Sequence, residues 1–238
     1  MKKILKYIFR GVTLLLLLLG IFIALNYKLL KRVATFPSAN EISNSEWYTP
    51  KGIIKGNDAT NYALTDSLSI DMTVLEDISN YAKDRNSNAL LVLHKGKLQL
   101  EQYWNETTKE STSNSMSMAK TITAILIGIA IDEGHIKSEK EPASTYITEW
   151  ANDERNFITI EDLLLMQSGL RNDDNTQDLF SDVVSMYLGT EVEKTALKIP
   201  LEKEPAEDFE YNNANTQILG IILERATGLP IETYTSSK

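Results

Sequence analysis

The sequence predicts an α/β chain of the α+β kind: an N-terminal apolar helix, one β-hairpin, and then helices without a return of strands. Three patterns carry that prediction. Six consecutive leucines lie in an uncharged stretch near the N-terminus. Two apolar-rich runs, residues 89–93 and 98–104, are joined around Lys95-Gly96, the composition of a hairpin turn. From Ser117 onward, apolar residues recur at helical spacing between residues that start and stop helices.

The first 32 residues hold seven basic side chains (Lys2, Lys3, Lys6, Arg10, Lys28, Lys31, Arg32) and no acid. Between them lies an uncharged core of about 15 residues, short for a full crossing unless residues 7–9 and 26–27 are recruited. A cleaved signal peptide would want a small-x-small site after the apolar run, and basic residues follow instead. Residues 1–32 are therefore predicted to be a retained signal anchor in the cytoplasmic membrane. The four basic residues before the run and three after favour an inside N-terminus, with the body on the periplasmic or extracellular side. Residues 33–70, polar and broken by Pro37, Pro50 and Gly52, are predicted to be a linker, and residues 71–238 the folded body.

Beyond the anchor the chain carries 17 basic and 33 acidic residues, a net −16. Such an acidic body argues against nucleic-acid binding, which needs clustered Lys and Arg on phosphates. Without cysteine there is no disulfide, thiolate nucleophile or sulfur metal site. The two histidines, His94 and His135, lack companions at zinc-site spacing. Serine remains as the nucleophile of any enzyme reading.

In the body, Val74, Leu75, Ile78 and Tyr81 share one helical face. Residues 117–133 form a second helix, stopped by Gly134. Residues 135–158 read as loop with short turns. Thr159 is a predicted N-cap followed by the first-turn acids Glu161 and Asp162, with Gly169 as the stop. Residues 200–209 are charged and irregular. A helix over 213–227 ends at Gly228 and Pro230, and Pro230 opens one more. Met116, Met118 and Met166 are expected to pack, His135 to be exposed, and Asp173-Asp174 to be a solvated loop.

Two places carry chemistry. Ser117 and Lys120, three apart on a helix, share a face about 5–6 Å apart at Cβ. The helix N-terminus favours negative charge developing at Ser117. The same field, with burial, disfavours an ammonium at Lys120, which suits it to accept a proton. One turn thus supplies nucleophile, base and a backbone N–H for an oxyanion. A solvated polar helix end is the competing reading. Tyr211-Asn212-Asn213 offers a phenol that can relay protons and an amide that can donate and accept. Its structural alternative is Asn213 as helix cap with Tyr211 packed on it. The same pattern recurs at Tyr103-Trp104-Asn105, before Ser117 in the chain.

Taken in order, "SMSMAKTITAILIGIAIDEGHIKS" from Ser115, "ITIEDLLLMQSGL" from Ile158 and "FEYNNANTQILGIILERATGLPI" from Phe209 resemble the serine β-lactamase-related hydrolases. That group spans class C β-lactamases, D-alanyl-D-alanine carboxypeptidases, esterases and 6-aminohexanoate-dimer hydrolases, and the resemblance is strongest to the last branch. It implies a serine β-lactamase/DD-peptidase-like fold, a sheet domain beside an all-helical domain, with no metal or organic cofactor. By the same resemblance Ser117 is the acylated nucleophile, Lys120 its base, Tyr211 the proton shuttle and Asn213 the substrate-orienting amide. The substrate would be a small-molecule or peptide amide or ester. Met166-Gln167-Ser168-Gly169 stands where many relatives have His-Thr-Ser-Gly, a scaffold difference. Relatives also continue through further strands bearing a Lys/His-x-Gly motif. The fold is therefore expected to be incomplete here, the chain truncated and of low activity, with a non-catalytic penicillin-binding-like module as the alternative.

Overall fold

The computed structural model describes residues 2–37, 45–48, 52–54, 64–65 and 67–238; most of the predicted linker, residues 33–70, lies outside them. The chain divides into two compact units, Ile42–Asn114 on one hand and Met1–Glu41 with Ser115–Lys238 on the other.

After helix α1 (Lys2–Thr35), which belongs to the larger unit, the smaller unit holds α2 (Met72–Asp84) and the hairpin β1 (Ala89–His94) and β2 (Lys97–Tyr103). Asp71 caps α2 by accepting from the Thr73 amide at 2.8 Å. The strands pair antiparallel from Ala89↔Tyr103 to His94↔Lys97. Lys95 and Gly96 both take positive φ, +50° and +74°, the turn geometry whose twist matches the strands. The register slips between Val92 and Leu93, leaving Gln99 as the extra residue of a bulge. Its buried amide oxygen accepts from Ser69 N at 2.7 Å. Leu64 adds a parallel bridge to Leu98, so the hairpin edge receives a short partner that hydrophobic alternation does not reveal.

The larger unit holds α1 (Lys2–Thr35), α3 (Ala119–Asp132), α4 (Ile160–Leu164), α5 (Asp182–Leu188), α6 (Val192–Lys198), α7 (Asn213–Thr227) and α8 (Ile231–Ser236). Helix α1 is long and apolar enough to cross a membrane and is unburied along that stretch. Its C-terminal half lies against α5; Phe22 meets Phe180, just before α5, edge-on at 6.1 Å, and Phe36, just past α1, meets Tyr187 at 5.9 Å.

Helix α7 organises the core. Ala214, Ile218, Leu219, Ile221, Ile222 and Leu223 are buried on it, and it packs against α3, α4, α6 and α8. Helix α3 contributes Leu126, Ile127 and Ala130; Trp150, Ile158, Ile160 and Leu163 close the other side. Burying each such side chain stabilises the fold by about 1.5–3 kcal/mol. Gly228 ends α7 in the left-handed conformation, φ +70°, as predicted.

Several expectations need correcting. The helix predicted from Ser117 begins as a 3₁₀ turn, Met116–Met118, and becomes α-helical at Ala119. Met118 is 70% exposed and does not pack; with Ile122 and Ile125 it forms an open apolar stripe, because α7 covers the opposite face of α3. Thr159 and Asp162 do form a capping box, but α4 stops at Leu164, five residues before Gly169. Helices α5 and α6 arise in a stretch the periodicity left unassigned. Each is seven residues long, too short to show a clear face.

Candidate active site

The segment 166–171 and the irregular segment 199–212 lie side by side, and this pairing builds the site. Arg171 N donates to Pro200 O at 2.9 Å, and Leu170 bridges Leu201 antiparallel. Gly169 O accepts from Glu202 N and Lys203 N at 2.9 and 3.1 Å, Gln167 O from Ala206 N, and Met166 O from Glu210 N at 2.8 Å. Gly169, at φ +69°, has no room for a side chain: a Cβ would lie 2.1 Å from the Lys203 carbonyl oxygen. Gly169 is thus the point of backbone contact between the two segments rather than a helix stop.

Asn212 fastens the end of this pairing. Its side chain is buried, its Nδ2 donates to Leu170 O at 3.2 Å and Arg171 O at 3.0 Å, and its Oδ1 accepts from Ala214 N at 2.9 Å. Asn212, not Asn213, therefore caps α7. Below it the buried Ser168 hydroxyl donates to Asn215 Oδ1 at 2.7 Å. Sequence reading treated Ser168 as scaffold and passed over Asn212, whose signal was its place between Tyr211 and Asn213 at a helix start.

With α7 so anchored, Tyr211 and Asn213 face the start of α3. The Tyr211 hydroxyl donates to Ser117 Oγ at 2.8 Å, and Lys120 Nζ donates to the same oxygen at 3.2 Å. Lys120 Nζ also donates to Asn213 Oδ1 at 2.8 Å and lies 5.2 Å from the centre of the Tyr211 ring. Tyr211 and Lys120 thus converge on one serine oxygen, with Asn213 holding Lys120, although Tyr211 and Ser117 stand 94 positions apart. The Tyr211 phenol is held below its ordinary pKa, first by its bond with the Ser117 hydroxyl and then by the hydrogen bond and positive charge of Lys120, against partial burial. Tyr103 is the opposite case: its hydroxyl donates to Glu101 at 2.5 Å, which raises its pKa, while Asn105 bonds within the turn at Asn86 and Asn88.

Met116, directly before Ser117, has φ +48°, a left-handed conformation unfavourable for an L side chain by about 1–2 kcal/mol. Its thioether accepts from the Tyr187 hydroxyl at 3.9 Å. Ser117 is therefore carried on a strained turn at a helix entrance. Glu161 and Asp162 serve α4 and its surface ion pair with Lys140.

Comparison with known proteins places the chain in a family. The Beta-lactamase family model matches residues 75–238, and the chain belongs to that family. A curated relative, the 6-aminohexanoate-dimer hydrolase of Paenarthrobacter ureafaciens, is 25% identical over 172 residues, covering 66% of this chain and 42% of the relative. A solved protein of Bacillus anthracis, assigned as a 6-aminohexanoate-dimer hydrolase, superposes with TM-score 0.67 at 19% identity, covering 83% of this chain and 57% of its own. One from Bacteroides dorei, assigned as a β-lactamase, gives TM-score 0.56 at 22% identity, covering 69% and 50%. The likenesses show a β-lactamase/penicillin-binding-protein-like fold, and the chain spans about half the length of these relatives.

Proposed function

We propose that the protein is a membrane-anchored serine hydrolase that cleaves an amide or ester through an acyl-Ser117 intermediate. Residues 71–238 would form the hydrolase domain, residues 33–70 a linker and residues 1–32 the anchor, with the hydrolase outside the cytoplasmic membrane. The observation that carries this reading is the convergence of a phenol and an amine, at 2.8 and 3.2 Å, on one serine oxygen.

Lys120 takes the Ser117 hydroxyl proton while Oγ bonds to the substrate carbonyl carbon. Asn213 Oδ1 holds one Lys120 N–H, which keeps the nitrogen beside Ser117 Oγ. The oxyanion would be met by the Ser117 backbone N–H. Tyr211 then gives its proton to the leaving nitrogen or oxygen as that bond breaks, and the Lys120 ammonium restores the Tyr211 proton. In the second half Tyr211 and Lys120 take a proton from water, whose oxygen attacks the acyl carbon, and Ser117 leaves with a proton regained. Proton transfers of this kind contribute about 10²–10⁴ in rate.

The test is to incubate the whole chain with a fluorescent penicillin and a p-nitrophenyl ester and to map the adduct by mass spectrometry. An adduct on Ser117, lost in Ser117→Ala, is expected. Labelling that persists in Ser117→Ala would overturn the assignment, and an adduct that forms but never releases would make the chain a penicillin-binding-like module rather than a hydrolase.

A further inference from the structure

Beside Ser117 the larger unit has an open cavity of about 580 Å³, within the range of small-ligand sites. Its polar end is Ser117, Lys120, Asn213 and Gln217. Its remainder is mostly apolar: Val183, Val184 and Leu188 of α5, Val192 of α6, and Val33 and Phe36 at the outer end of α1. Among the described residues, Lys120 is the one charged side chain in the lining.

We propose that this cavity is an acyl-chain pocket for an uncharged, linear acyl group, taken from an ester or amide dissolved in the membrane. The inference rests on the serine-hydrolase reading above and adds the substrate class. A chain ending in an ammonium or carboxylate would be desolvated there without a counter-charge, whereas each buried methylene favours binding about fourfold.

The position of the pocket supplies the source. The uncharged stretch of α1 runs from Gly11 to Tyr27, and Lys28 marks its outer end. From Lys28 to Phe36, at 1.5 Å per residue, the chain rises about 13 Å. The pocket wall is therefore about one headgroup layer above the hydrocarbon. Phe180, 58% exposed, meets Phe22 within the uncharged stretch of α1, which holds the segment just before α5 against the span. A lipid-like acyl chain need move only a short way along α1 to enter.

The whole chain, reconstituted in phosphatidylcholine vesicles, is reacted with p-nitrophenyl acetate, butyrate, hexanoate and octanoate and with the 6-ammoniohexanoate ester. The reading is the burst of nitrophenolate and the mass adduct on Ser117. The acylation rate is expected to rise at least about 30-fold from acetyl to octanoyl, a floor far below the roughly thousandfold or more that full burial of six methylenes gives, with the ammonio ester at least tenfold slower than the hexanoate. Val183→Trp, and independently Val33→Trp on the exposed turn of α1, should bring the octanoyl-to-acetyl ratio close to one. Partitioning into vesicles is common to wild type and variants, so the change in ratio reports the pocket. A flat series with Ser117 labelled, or a steep series unchanged in a folded variant, overturns the pocket and leaves the hydrolase reading standing. Absence of any Ser117 adduct overturns that reading itself.

Discussion

Asn212 separates two roles that a single asparagine can play at a helix start. As a cap, its Oδ1 accepts from Ala214 N; as a clamp, its Nδ2 donates to Leu170 O and Arg171 O. Asn212→Ala removes both. Losing the cap costs about 1 kcal/mol, and leaving the two carbonyls without their donor at a buried side chain costs about 1–3 kcal/mol more. The sum, about 2–4 kcal/mol, corresponds to about 5–15 °C in Tm for a chain of this size. Asn212→Asp keeps a capping oxygen but has no donor, and its carboxylate faces two carbonyl oxygens. It should therefore be destabilised at least as much as the alanine variant, and acylation of Ser117 should slow in both as Tyr211 drifts from 2.8 Å. Urea unfolding followed by circular dichroism, with the acylation burst measured on the same samples, reads both effects. If Asn212→Asp matches the wild type in stability and burst rate, the clamp is irrelevant and Tyr211 is positioned by something else.

Other consequences can be checked in the same assays. Gly169→Ala meets both a positive φ and the Lys203 carbonyl, so stability should fall by about 2–4 kcal/mol, with acylation slowed in step. Tyr211→Phe should lower turnover by about 10²–10⁴. In acylation Tyr211 gives its proton to the leaving group, so with its pKa depressed wild-type acylation should decline as pH rises through that lowered value, below the usual phenol range, and a pH–rate profile of Tyr211→Phe should lack this alkaline limb. Glu149, paired with Arg225 at 2.7 Å, is lowered to about 2. Its contribution is present above the unfolded carboxylate value and is lost as pH falls from there toward about 2. With the Glu149 side chain 49% exposed, solvent screening limits that contribution to about 1 kcal/mol or less. Glu149→Gln should accordingly be slightly less stable at pH 7 and no different at pH 2 in thermal melts.

What the sequence revealed was local. Gly134 and Gly228, the Thr159–Asp162 box and the Lys95-Gly96 turn each act within a few residues, so composition and spacing expose them. Ser117 and Lys120 are legible for the same reason, since three positions on a helix fix their neighbourhood. The meeting of Tyr211 with Ser117 depends on backbone bonds between residues 166–171 and 199–212, which no periodicity encodes; family resemblance supplied it. Asn212 and Gly169 were misread because their partners lie some 40 residues away or on a carbonyl oxygen. Helices α5 and α6 escaped because each is held by packing on neighbours rather than by its own pattern.

The left-handed turn at Met116 has a consequence for any effort to harden this molecule against heat. A glycine or asparagine there would relax the backbone and raise the melting point, while freeing the adjacent alcohol to swing out of register. Heat-selected variants should therefore gather mutations at this one residue and pay for endurance with sluggish chemistry.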